Sequence, residues 1–558
     1  MARYSRRRFL SLLSAMAATA CGGGGGDKTP ASVVAPAFDA PRPSPPAPSP
    51  SPAPSPAPTP SPSPAPTPAP TPAPAPAPSG NAIQRENAKG RDEGVTEDWL
   101  IADANTASAG EIEGYASAAS VARGDSIQLY VNTAEPQYTL AVYRIGWYGG
   151  SGGRLVAGPV TRQGRRQPAP SADLSTRLVE CQWVDPYVLD IPRNPDDPTD
   201  WASGVYLVKL TAGRSRKQSY IIFTVRDDER DAAALVQSGV TTYAAYNNWG
   251  GYCLYVSYSL NGKAAYKVSL NRPYRNPMRP FNGKGAGDFL SWEIMLVRYL
   301  EREGVDVKYC TNIDTDANPA MLRRSRAFIS AGHDEYWTLA MRDAIEGARD
   351  AGVNLAFLGA NAGYWQVRLE AGGDGAQGRT VVCYKYDAPV ADPLYGSRPT
   401  LATELWRSGR PGRPARPEAA LVGVMYDYNS VDLDMVMDDC SGWICEGSGL
   451  RKGSVLRGLL GYEVDRIDPA SSPPNLQVLA SSPYEVRSPS CPGAGCPVLE
   501  VRRSSMVYYT ADSGAGVFST GSIQWHWGLD DFGEAAGRAN PAAQRMMKNV
   551  MDRFTRAH

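Results

Sequence analysis

The segment Gly332-His333-Asp334-Glu335-Tyr336-Trp337 places an imidazole and two carboxylates side by side. Together they offer a base, two acids and metal-ligating atoms. His333 is one of only three histidines in 558 residues, which makes its position informative. The competing reading is that Asp334 and Glu335 merely precede a helix and favour its N-terminal dipole. Further along, Gly359-Ala360-Asn361-Ala362-Gly363 has the outline of a nucleophile elbow, with small residues around an exposed centre. A hydrolase of that design carries Ser or Cys there, and Asn361 cannot attack. Scaffold without nucleophile points to activated water, and a metal is the usual activator. A plain strand–helix turn, with Asn361 bonded to its own backbone, is the alternative. A third cluster, residues 242–252, is aromatic, and Asn271-Arg272-Pro273-Tyr274 follows it. Such aromatics serve as core or as sugar-stacking surface.

These groups need a frame. After Arg226, strand-like apolar runs alternate with helical ones. Residues 289–303 read as a helix, 305–309 as a strand, 327–331 as a strand, 338–351 as a helix capped by Thr338, and 353–358 as a strand. That alternation predicts an open, mostly parallel α/β sheet, with the active groups past the carboxyl ends of its strands. Before it, residues 126–131, 138–143, 204–210 and 219–225 alternate between turn residues and predict a β-sandwich. The expected order is an export signal at 1–20, a glycine leash and proline-rich stalk at 21–84, a sandwich at 85–226 and an α/β domain at 227–558.

Arg6, Arg7 and Arg8 precede an apolar run too short to span a bilayer, in the manner of a twin-arginine signal. Ala18-Thr19-Ala20-Cys21 has the look of a lipobox, with Cys21 lipidated; an ordinary secretory signal is the alternative. Residues 30–78 are Pro, Ala, Ser and Thr almost throughout, an extended spacer of roughly 150 Å if straight. The expected place is the cell envelope, periplasm or cell surface, with the lipid as membrane anchor. The formal net charge is zero, and no basic cluster follows the stalk, which excludes nucleic acid as an expected partner. An oxidising compartment makes Cys440–Cys445 and Cys491–Cys496 expected local disulfides, with a four-cysteine zinc site as the competing reading. Cys181, Cys253, Cys310 and Cys383 are left unpaired by the pattern.

Residues 143–150 (Tyr143-Arg144-Ile145-Gly146-Trp147-Tyr148-Gly149-Gly150), 245–251, 271–274, 332–337 and 359–365 occur in that order. As an ordered set they resemble the large (β) subunit of N,N-dimethylformamidase over nearly everything from Glu86 onward. The resemblance implies a second domain similar to class I glutamine amidotransferases. It implies one ferric iron bound by two tyrosinates and a glutamate. Carried over, Glu335 is the carboxylate ligand and Tyr246 the first tyrosine. Tyr274 is the second, with Tyr266 as its alternative. His333 is the acid/base paired with Glu463, and Asn361 positions the substrate. The expected function is a metal-dependent amidohydrolase cleaving an amide C–N bond of a small amide or glycan substrate. The alternative is a non-catalytic glycan-binding surface lipoprotein using Trp147, Tyr148 and Trp183. The family enzyme works with a small partner subunit that this chain does not carry, and a homo-oligomer is left open.

Overall fold

The computed structural model describes residues 80–275, 284–487 and 497–556. The export signal, Cys21, the stalk as far as residue 79 and the Cys491–Cys496 pair lie outside the described residues. Among the described residues no helix is long and apolar enough to cross a membrane.

Strict alternation makes Ser126–Thr133 a half-buried strand, with Ile127, Leu129 and Val131 inward. It pairs with Ile112–Ala116 and Tyr187–Asp190 in a three-stranded sheet. Facing it is a six-stranded sheet whose centre is Gln137–Ile145, Gly204–Ala212 and Gln218–Arg226. These central strands are buried almost continuously, because both faces are covered. Leu140, Val142, Val208 and Phe223 enter the core between the two sheets. Ala141, Tyr143, Ile145 and Leu207 face the other way and join the core of the next domain. The sandwich is therefore fused to its neighbour by a shared apolar layer.

That neighbour is built on a seven-stranded sheet. Val307–Thr311, Ala232–Ser238, Ser325–Ala331, Asn354–Leu358 and Gly516–Ser519 run parallel in that order. Val498–Thr510 and Gln477–Arg487 extend it antiparallel. The molecule is thus multidomain, with mixed and antiparallel sheets and some helices. A small sheet of Lys267–Ser269, Thr380–Val382, Trp365–Glu370 and Tyr336–Thr338 lies outside the main one. Thr338 caps Leu339–Asp350 as expected, accepting from the Met341 N–H at 3.1 Å. The helix expected over 289–303 is instead two, Phe289–Trp292 and Ile294–Arg302, broken at Glu293. The break lets the buried Glu293 carboxylate accept from Ser238 (2.7 Å) and Tyr243 (2.5 Å).

The helix Ala82–Asn87 straddles the stalk boundary drawn at residue 84. Asn81 and Gln84 form its capping box, so it folds with the domains that follow. Its Glu86 is fully buried and binds Arg154 (2.7 Å), Lys89 (2.7 Å) and the Tyr148 hydroxyl (2.6 Å). Tyr148 in turn accepts from Arg144 (2.9 Å), and Arg144 of the sandwich forks onto Glu301 of the α/β domain (2.7 and 3.0 Å). Neither partner of that last pair is exposed. Breaking such a pair strands a charge in the interior, at a cost of about 3–5 kcal/mol. Glu301→Ala should lower unfolding stability in urea by about that amount, whereas Arg324→Ala, whose partner Asp231 is exposed, should change it by less than about 1 kcal/mol.

Candidate active site

Three adjacent parallel strands aim at one spot. Helix Val240–Tyr246 follows Ala232–Ser238 and ends on Tyr246. His333 and Glu335 follow Ser325–Ala331, and Asn361 follows Asn354–Leu358. The backbone is pinned there. The Thr242 hydroxyl accepts from the Glu335 N–H (2.9 Å), and the Trp365 N–H donates to the Glu335 carbonyl (3.0 Å). A Cβ on Gly359 would stand 1.9 Å from the Gly332 carbonyl, so the two loops pack this closely only with glycine there. Asn361 sits at φ 60°, a left-handed conformation that Asn tolerates better than most residues.

Glu335, Tyr246 and a third residue, Tyr255, converge. Tyr246 donates to Glu335 Oε2 at 3.0 Å, and the Tyr255 hydroxyl lies 2.7 Å from that of Tyr246. Tyr255 is also 3.0 Å from each Glu335 oxygen and accepts from Tyr336 at 2.6 Å. Burial, then the Glu335 carboxylate, pushes all three phenols well above the usual range. On the other side, His333 Nε2 is 3.4 Å from Glu335 and 3.2 Å from Glu463. Burial pulls the imidazole down, but Glu463 and then Glu335 outweigh it and lift it to about 9. Asn361 donates through Nδ2 to Glu463 (2.8 Å), and its N–H donates to Asp465 (2.8 Å). Burial raises Asp465 to about 7 against that N–H.

Tyr274, expected as the second tyrosine, is not in this cluster, and neither is Tyr266. The Tyr274 ring packs edge-on against Tyr243 at 5.9 Å. Tyr266 stacks on Tyr384 at 4.7 Å and donates to Asp387. The reason lies in Arg272. Its buried guanidinium donates to the carbonyls of Asn247, Trp249 and Tyr252 (2.8–2.9 Å). Residues 271–274 thus clamp the loop after the helix rather than serve the site. Gly250, at φ 76°, turns that loop back, and the Leu254 N–H bonds the Ala245 carbonyl (3.0 Å). Tyr255 comes to stack on Tyr246 at 4.3 Å. Asp334 is also structural, held by Gln237, Ser330 and Asn312 (2.7–3.2 Å).

A second unforeseen residue is Lys385, whose Nζ lies 3.5 Å above the Tyr255 ring. Its backbone has φ 53°, a strained position for lysine. The only hint in sequence was a lysine between two tyrosines after a short apolar run. Cys440 and Cys445 form the expected disulfide, with Cα atoms 5.2 Å apart. Cys181, Cys253, Cys310 and Cys383 are buried thiols. Trp147 lies under Arg298 and Arg302, Tyr148 is in the buried ion network, and Trp183 is buried against Trp249. None of the three is free to stack on a ligand.

Among the described residues no three His, Cys, Asp or Glu side chains are placed to hold a metal ion. The tyrosines change that. Two phenol oxygens and a carboxylate oxygen, mutually 2.7–3.0 Å apart, have the spacing of oxygens about 2 Å from one small cation. Phenolate and carboxylate are hard donors that suit ferric iron. The set fits the expected group, with Tyr255 in place of Tyr274.

Glu293 supports the strand end beside this cluster. Burial raises its carboxyl from 4.5 to about 8, against the hydrogen bonds from Tyr243 and Ser238. A raised acid stabilises the fold fully below its unfolded pKa and loses that contribution as pH rises through the folded one. Glu293→Gln keeps the shape and cannot ionise. Urea unfolding should show a flatter stability profile for the variant between about pH 5 and about pH 9, with the largest gain over wild type at the alkaline end.

Residues 139–540 match the family described as N,N-dimethylformamidase beta subunit-like, C-terminal. An N,N-dimethylformamidase beta subunit from Alcaligenes sp is 27% identical over 335 residues, covering 53% of this chain and 41% of that protein. One from Paracoccus aminophilus is 25% identical over 448 residues, covering 68% of this chain and 55% of that protein. The chain spans about half the length of the curated relatives it matches. Among solved structures, the mmIFT52 N-terminal domain aligns over 46% of this chain and 87% of that one at 11% identity. Its TM-score of 0.24 is too low to assign a shared fold. With most of its length inside the matched region, the chain belongs to the N,N-dimethylformamidase beta subunit-like family.

Proposed function

We propose that the cluster hydrolyses an amide C–N bond with water as the attacking group. One observation carries this. Asn361 Nδ2 and His333 Nε2 meet the same Glu463 oxygen at 2.8 and 3.2 Å, while the buried Asn361 Oδ1 finds no hydrogen-bond partner among the described residues. Buried polar atoms are rarely left so unless a ligand completes them. The relatives named as N,N-dimethylformamidase beta subunits act on an amide, which supports the reading. So does an elbow whose centre is Asn361.

Tyr246, Tyr255 and Glu335 would hold ferric iron, which supplies a Lewis acid and lowers the pKa of water. The chain's own groups do the rest. Water adds to the amide carbonyl carbon, and its proton passes to the Glu463–His333 pair. The C–N bond then breaks, and the pair returns the proton to the leaving nitrogen, giving an acid and an amine. One Asn361 N–H is engaged by Glu463, so the free group is its carbonyl oxygen. It accepts from the substrate N–H or the water and orients it. Lys385 lends positive charge beside Glu335. The parallel strands with the site past their ends support the glutamine-amidotransferase-like reading of this domain.

The wider expectations stand as parts of the same proposal: an envelope protein held by lipid on Cys21 and raised by its stalk. The relatives' designation as subunits supports assembly with further chains. Hydrolysis of a panel of amides tests the reaction. His333→Ala should lower kcat by about a hundredfold or more with thermal stability kept, and Glu335→Ala should remove activity and bound metal together. Full turnover in both variants, or an acyl group trapped on Ser or Cys, overturns the mechanism.

A further inference from the structure

The strand Ile112–Ala116 turns successive side chains to opposite faces. Ile112 enters the core between the two sheets of the sandwich, and Glu113 and Tyr115 take the other face. There Tyr115 packs on Trp183 at 5.2 Å, and Trp183 meets Trp249 edge-on at 6.0 Å. Glu113 Oε2 accepts from Trp249 Nε1 at 2.7 Å. Its other oxygen accepts from Asn132 Nδ2 at 3.0 Å, and Asn132 Oδ1 accepts from the Gln167 N–H at 2.9 Å. The carboxylate is therefore held from both sides. Next to Trp249, a Cβ on Gly250 would stand 2.5 Å from Val179 Cγ1, so this turn of the α/β domain is pressed onto the sandwich. The Cys181 N–H also donates to the Asn271 carbonyl (2.8 Å), beside the Arg272 that grips the same turn.

Resting on the reading of Tyr255 as an iron ligand, we infer that Glu113 is a positioning residue for the site: by holding Trp249 it fixes, from the sandwich, the loop that delivers Tyr255. Glu113 itself touches no reacting atom. Past the short turn Trp249–Gly251, no helix or strand covers the chain up to Tyr255. The shape of the loop comes instead from single bonds. Arg272 gathers its carbonyls, and the Leu254 N–H returns to the Ala245 carbonyl at 3.0 Å. Those bonds shape the loop within the α/β domain, and Glu113 sets where it stands against the sandwich. A half-buried indole N–H needs an acceptor, and a carboxylate makes the bond charge-assisted, the stronger kind. An ordinary surface glutamate does not account for this arrangement. Both oxygens of Glu113 are engaged, and one partner lies 136 positions along, in the other domain. The sandwich thus shapes the candidate site without contributing a group to it.

Hydrogen exchange read by mass spectrometry, together with the visible spectrum of the same whole chain, tests this. Glu113→Ala should speed exchange in peptides spanning 247–258 by about tenfold. Peptides from the sandwich strands Gly204–Ala212 and Gln218–Arg226 should keep their wild-type rates. The phenolate-to-iron band should weaken or shift, with iron held about tenfold less tightly. Trp249→Phe, which keeps a ring and loses the N–H, should act alike, and the double variant should exceed either single one by no more than about twofold. Glu113→Gln, which keeps an acceptor for the indole, should stay within about threefold of wild type in exchange at 247–258. Exchange there unmoved by Glu113→Ala, equal acceleration in every peptide, or a double variant showing the product of the two single effects would each overturn the inference. The two readings separate. A wild-type chain without iron whose loop loosens as described sinks the iron reading and leaves Glu113 as the anchor of Tyr255. A wild-type chain with iron whose loop and colour ignore Glu113→Ala sinks the positioning role alone.

Discussion

Two buried carboxylates, Glu335 and Glu463, approach the same imidazole nitrogen, His333 Nε2, at 3.4 and 3.2 Å. Like charges held this close in a low-dielectric interior cannot both ionise without compensation. The surrounding arrangement supplies it. His333 reaches both through one nitrogen and is driven toward its charged form. Tyr246 and Tyr255 turn their hydroxyls to Glu335, Asn361 turns an N–H to Glu463, and Lys385 stands over the Tyr255 ring. A cation held by the same oxygens would relieve the repulsion more completely. The electrostatic demand of the carboxylates and the chemistry proposed for them are therefore the same fact seen twice.

Much of the scaffold was legible because it depends on local pattern. Alternation located the sandwich strands, and Thr338 announced its helix. His333, Glu335 and Asn361 were legible as residues that share the ends of neighbouring parallel strands. Tyr255 was not. Its position depends on a chain reversal through Gly250, locked by an arginine more than twenty residues later, and no periodicity records such a clamp. Tyr274 was misread for the same reason: it sits in the motif that makes the clamp. Lys385 arrives through the small outer sheet, whose short strands carry little signal. The break at Glu293 escaped detection because the apolar helical pattern runs straight through it, while a buried carboxylate three-dimensionally joined to Ser238 and Tyr243 decides the backbone.

The sandwich is more than an attached module. Its central sheet gives one face to its own core and the other to the α/β core, and Arg144–Glu301 fixes the join. That bond also reaches Glu86 through Tyr148, so the first helix after the proline-rich segment is part of the same network. Trp147, Tyr148 and Trp183, the sandwich aromatics expected to stack on a glycan, are engaged in packing and hydrogen bonding within the molecule instead.

The central claim is that Tyr246, Tyr255 and Glu335 form one binding site for a hard cation. Elemental analysis with a visible spectrum of the purified chain tests it most directly. The account predicts about one iron per chain and a phenolate-to-iron absorption band, both lost in the Tyr246→Phe, Tyr255→Phe double variant while the fold remains. A colourless, metal-free chain that still cleaves amides, or a double variant that keeps its iron and its colour, would contradict it.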